Sequence, residues 1–138
     1  MDGTNQNNVN LPLVLLVEND KPSIDVTKYF LKGAYSVDYA VNGVTALKMA
    51  VDKKYSLILM DINLGEGLSG IDVAKEIKNI HGYENTAIVA LTAYAGQNEK
   101  ENFLSLGLTH YLAKPFNKAA LIRLIKSILE PENWLKNH

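Results

Sequence analysis

Polar side chains able to bind a metal ion or a phosphate follow four short apolar runs in this sequence. Glu18, Asn19 and Asp20 come after residues 13–17, Asp61 and Asn63 after 57–60, Thr92 after 88–91, and Lys114, followed by Pro115, after 111–113. Carboxylate and carbonyl oxygens are hard ligands suited to a magnesium ion, which is held by few protein groups together with phosphate oxygens. A lysine can neutralise phosphate charge and a hydroxyl can donate a hydrogen bond. Acids, a hydroxyl and a lysine brought to one crevice are therefore equipped to hold Mg2+ and a phosphoryl group together. Taken singly, each residue has an ordinary reading. An Asp after a strand is commonly a turn or cap, and Asp20 reads as a helix N-cap. A β-branched Thr suits any strand end, and Lys114 alone could be a solvated lysine. The chemistry depends on convergence.

The elements that would produce convergence are visible in the pattern. Residues 13–17, 37–40, 57–60, 88–91 and 111–113 are candidate strands. Helical spacing lies between and after them, clearest in Leu121, Leu124, Ile125, Ile128 and Leu129, weaker in Ile71, Ala74 and Ile77 and in Val44, Leu47 and Val51. Asp20 before Pro22, Asn42 and Asn117 stand where N-caps belong. Five strand–helix alternations with short connections imply a parallel sheet covered by helices on both faces, a doubly wound α/β three-layer sandwich. LVLLV, LILM and IVAL are continuously apolar, whereas YSVDYA alternates as an edge strand does. This favours the flavodoxin-like (βα)5 order 2-1-3-4-5, whose ligands bind beyond the carboxyl ends of the strands.

Composition narrows the function classes. Of 138 residues 47% are hydrophobic, ordinary for one domain, and 14 Lys and Arg balance 15 Asp and Glu. No overall basic field exists to attract nucleic acid directly or an anionic membrane. Without cysteine there is no disulfide framework, thiolate metal site or cysteine nucleophile, which fits a cytoplasmic setting. No apolar run approaches the roughly 20 residues of a membrane helix. Residues 1–10, polar and Asn-rich, read as a disordered lead-in rather than a secretory signal, residues 11–130 as the domain, and 131–138 as a tail. His81, His110 and His138 lack ligand spacing.

The segments LLVEND, LILMDINL, IVALTAYA and HYLAKPF resemble, in order, the landmark segments of response regulator receiver domains, the CheY-like family of two-component signal transduction. The resemblance spans nearly the whole chain. It implies that Asp61 is the phosphoacceptor, attacking the phosphohistidine of a sensor histidine kinase or phosphotransfer protein with Mg2+ as cofactor. It also implies that Glu18 acts on the ion through water, that Asn63 offers its backbone carbonyl, and that Thr92 and Lys114 grip the phosphoryl oxygens. Tyr111 falls at the family's switch aromatic, so the responding surface would comprise the fourth helical segment (residues 95–101), the fifth strand and the fifth helix, acting on a downstream protein. A receiver is not an enzyme beyond slow loss of its own phosphoryl group. Two other readings are a degenerate receiver serving only as a protein-binding module and a phosphate-ester hydrolase, for which no separate general acid is evident.

Gly65, Gly67 and Gly70 formally match the dinucleotide pattern G-x-G-x-x-G, but Asp61 to Leu64 separate the first glycine from its strand and no acid ends the next strand. The glycines read instead as a loop beside Asp61, with Gly70 resembling a family glycine. Two departures from the family pattern stand out. Gly65 replaces a common proline in a loop about one residue longer than usual. Asn19 replaces an acid that touches the ion, which predicts weaker Mg2+ binding than in a receiver with two acids there.

Overall fold

The computed structural model describes residues 10–65, 67–93 and 106–132. Five parallel strands, β1 (Leu13–Val17), β2 (Ser36–Ala40), β3 (Leu57–Asp61), β4 (Ala87–Thr92) and β5 (His110–Ala113), form one sheet in the order β2-β1-β3-β4-β5. The described helices are α1 (Lys21–Leu31), α2 (Gly43–Asp52), α3 (Gly70–Lys78) and α4 (Lys118–Leu129). The helical segment expected over 95–101 lies outside the described residues. No described helix is long and apolar enough to cross a membrane.

The apolar strands build two cores because successive side chains point to opposite faces. Leu15, Val17, Ile58, Met60, Ile88 and Ala90 face Ala46, Ala50, Val73, Ala74 and Ile77 of α2 and α3. Their neighbours Val14, Leu16, Leu57, Leu59, Val89 and Leu91 face Ile24 and Leu31 of α1 and Leu121 and Ile125 of α4. Both faces of the central strands are thus covered, which explains their unbroken apolar runs. The outermost β2 keeps only Ala40 fully buried, in line with its alternating sequence.

Three caps form as the residue types predict: the side chains of Asp20, Asn42 and Asn117 accept from the backbone N–H groups of Ser23, Thr45 and Ala120. Ser69 and Asp72 form a reciprocal capping box, the S-x-x-D pattern that fixes where α3 begins after the glycine loop. The buried stripe of α2 also differs from the Val44, Leu47, Val51 expectation. Gly43, Ala46 and Ala50 face inward, while Val44 and Val51 are 57% and 68% exposed. Small residues let α2 lie close against α3, and close approach outweighs the larger area of the valines. Leu47 is half-buried against the same core. In α3 the stripe runs through Val73, Ala74 and Ile77, with Ile71 at its border.

Candidate functional site

Strand register carries the chemistry-bearing residues to one rim. Val17 pairs with Met60, Asp61 with Leu91, and Thr92 with Ala113, so Glu18, Asp61, Thr92 and Lys114 leave the sheet together. The ladder continues past the strand ends, where the N–H groups of Glu18, Ile62 and Lys114 donate to the carbonyls of Ala40, Leu91 and Thr92. These backbones are held by the sheet, and the side chains inherit that order. Glu18, Asn19, Asp61, Asn63, Thr92 and Lys114 all line a cleft of about 530 Å³.

At its centre one ammonium serves two carboxylates. Lys114 Nζ lies 3.0 Å from Glu18 Oε1 and 3.3 Å from Asp61 Oδ1. The Asn63 N–H also donates to Asp61 Oδ1, at 3.1 Å, orienting that carboxylate. Glu18 and Asp61 are 2% and 5% exposed. Burial, then the hydrogen bond and charge of Asp61, push the Glu18 carboxyl up to about 7 despite Lys114. Burial pulls Lys114 down, but its bond to Glu18 and the two carboxylate charges outweigh that and leave it above its usual value. Once Glu18 is ionised, two buried acids face one cation and the rim is short of positive charge.

Glu18, Asn19, Asp61 and Asn63, which line the same cleft, carry oxygen donors of the kind that suits a hard divalent cation such as Mg2+. Among the described residues no three His, Cys, Asp or Glu side chains gather as a cation site, consistent with an amide at 19. Asn19 does more than border the cleft, since its Nδ2 donates to the Leu64 carbonyl at 3.1 Å. Gly70 has a steric reason to be glycine, because a Cβ there would collide with the Asp61 carbonyl oxygen.

Of the residues singled out by sequence, Glu18, Asn19, Asp61, Asn63, Thr92 and Lys114 converge. Thr92 is buried at the end of β4. Asp20 caps α1, with Ser23 Oγ donating to its Oδ2 at 2.6 Å, and the Ser23 bonds hold its carboxyl below the usual range. Tyr111 sits further back, opposite Ala90 on β5 and half-buried against the α2/α3 core. The Asn19–Leu64 bond was not foreseen; an amide beside a glycine loop is its only sequence trace.

The model of the response regulator receiver domain family matches residues 14–126. Transcription factor prr1 of Schizosaccharomyces pombe is 37% identical over 86% of this chain, which spans only 22% of that relative's length. The chemotaxis protein CheY4 of Vibrio cholerae superposes with a TM-score of 0.82 at 27% identity, covering 86% of this chain and 99% of that one. The receiver domain of sensor histidine kinase PA1611 from Pseudomonas aeruginosa, solved with a magnesium ion coordinated in its active site cleft, gives a TM-score of 0.77 at 35% identity, covering 84% and 95%.

Proposed function

The chain belongs to the response regulator receiver domain family, and from that premise we propose that Asp61 accepts a phosphoryl group from a phosphohistidine. The donor is a sensor histidine kinase or a phosphotransfer protein. The observation that carries this reading is the placement of Lys114 Nζ between Glu18 and Asp61, 3.0 and 3.3 Å away.

An Asp61 carboxylate oxygen attacks phosphorus, the P–N bond breaks with its electron pair returning to the imidazole, and an acyl phosphate forms on Asp61. The Asn63 N–H and Lys114 orient the attacking carboxylate. Lys114 and the Thr92 hydroxyl then meet phosphoryl oxygens, one with charge and the other with a hydrogen bond. Glu18, Asn19, Asp61 and the Asn63 carbonyl would hold Mg2+, which when bound would supply charge neutralisation for the phosphoryl oxygens. Drawing Thr92 and Lys114 inward changes the surroundings of Tyr111, shifts the population between two conformations, and alters the face of β5 and α4 presented to a downstream protein. The expected contribution of residues 95–101 to that face falls outside the described residues. The only catalysis in this scheme is slow hydrolysis of the chain's own acyl phosphate, in the cytoplasm.

Acetyl phosphate with Mg2+ tests the proposal. Intact-mass measurement should show one added phosphoryl group on the wild type and none on Asp61→Asn. A wild type that gains no mass would leave a protein-binding module without phosphotransfer.

A further inference from the structure

The two departures from the family pattern, Asn19 and Gly65, meet in space. Asn19 Nδ2 donates to the Leu64 carbonyl at 3.1 Å, and a Cβ on residue 65 would lie 3.3 Å from that same nitrogen. Gly65 has φ of +81°, open to glycine and closed to proline, whose ring holds φ near −65°. The Gly65 N–H donates to Asn63 Oδ1 at 3.3 Å, and the Leu64 side chain is buried in the core beneath α2 and α3. The stretch from Asn63 to Gly65 is therefore tied below by packing, internally by a turn, and across the cleft by Asn19.

We propose that Asn19 is a positioning residue whose amide nitrogen latches the β3–α3 loop through the Leu64 carbonyl, fixing Asn63 beside Asp61 before any cation binds. The consequence for Mg2+ rests on the phosphoacceptor reading above; the latch itself belongs to the metal-free chain. An amide is both donor and acceptor, so nitrogen can serve the loop while oxygen remains for the cation. A carboxylate only accepts. An Asp at position 19 would set an oxygen against the Leu64 carbonyl and push the loop away, although it is the stronger cation ligand. Asn19 and Gly65 are thus a matched pair: the glycine leaves room for the amide, and the amide satisfies the carbonyl that precedes the glycine.

The test measures amide hydrogen exchange in the full metal-free chain for wild type, Asn19→Ala and Asn19→Asp. Both variants should exchange about five-fold faster over residues 63–70, the factor that one ordinary hydrogen bond carries, with β1 and β3 unchanged as an internal control of folding. Unaltered loop exchange in either variant overturns the latch and leaves Asn19 a cation ligand only. Chemical-shift titration with Mg2+ should then show weaker binding in Asn19→Ala but tighter binding in Asn19→Asp, so that loop order and affinity move in opposite directions. Weaker binding in Asn19→Asp would overturn the division of labour between nitrogen and oxygen. Acetyl phosphate labelling of the wild type reports separately on the receiver reading. If labelling fails while exchange responds, that reading falls and the latch stands.

Discussion

Both rims of the sheet carry lysines beside buried polar side chains and use them in opposite ways. At the amino rim, Tyr83 Oη accepts from the Tyr55 N–H at 3.1 Å and shares its proton between the Ala50 and Lys53 carbonyls at 2.8 and 2.6 Å. Lys54 Nζ lies 4.3 Å from the centre of the Tyr83 ring and donates to the Tyr55 carbonyl and to Thr86 Oγ1 at 3.1 and 2.9 Å. Lys78 donates to the Thr86 carbonyl at 2.6 Å. Burial, then Lys54, hold Lys78 below its usual range, yet these cations end on neutral oxygens tied to the backbone. At the carboxyl rim two acids draw on one ammonium. A polar cluster satisfied by its own backbone is scaffold. One that sets two acids against a single ammonium is the candidate site.

The largest expected effect on stability therefore lies at the rim without chemistry. Tyr83 is 1% exposed, and its truncation in Tyr83→Ala opens a cavity and strands the Tyr55 N–H. Such a change costs about 3–5 kcal/mol. Urea denaturation checks the loss, and acetyl phosphate labelling of the folded fraction should be undiminished. A loss below about 1 kcal/mol, or labelling that falls in step with stability, would break the division between the rims.

The next effect has the reverse sign and comes from the carboxyl rim. Glu18 titrates near 7 in the folded chain against 4.5 ordinarily, so the folded state holds the extra proton between those values. Its contribution to stability is full below 4.5 and is lost as pH rises through 7, a change of at most about 3 kcal/mol in the metal-free protein. Wild type should lose stability relative to Glu18→Gln across that window, measured by denaturation at successive pH values. Mg2+ should restore it at pH 8 in the wild type far more than in the variant. Parallel pH profiles for the two proteins would show that the rim carries no unmatched charge.

Much of this contrast was legible in the sequence on one side only. The carboxyl rim announces itself because Glu18, Asp61, Thr92 and Lys114 each follow an apolar run directly, and parallel strands bring such positions to one edge whatever the details of packing. The order of the sheet was legible for a similar reason, since burial on both faces leaves LVLLV and LILM without polar breaks. The amino rim has no such signature. Tyr55, Tyr83 and Thr86 are separated by up to 31 residues and meet only through loop geometry, and a buried tyrosine reads as ordinary apolar filling. Hydrophobicity alone points Val44 and Val51 inward, whereas they are exposed and Gly43, Ala46 and Ala50 face the core. Asn19 was legible as a departure but not as a latch, because its partner is a backbone carbonyl 45 positions away.

The smallest expected effect tests whether the amino rim is redundant as well as satisfied. Thr86 is 7% exposed and its Oγ1 accepts from Lys54. Thr86→Val removes that acceptor while keeping the shape of the side chain. Lys54 retains the Tyr55 carbonyl and the face of the Tyr83 ring, and Lys78 retains the Thr86 backbone carbonyl. The loss should stay near one net hydrogen bond, about 1 kcal/mol, by urea denaturation. Lys114→Met makes the matched comparison, because Glu18 and Asp61 have no other ammonium within 4.0 Å among the described residues. That change should abolish labelling by acetyl phosphate and not merely lower stability. If Thr86→Val proved as damaging to the fold as Tyr83→Ala, the amino rim would hang on one bond, and redundancy would no longer distinguish scaffold from site.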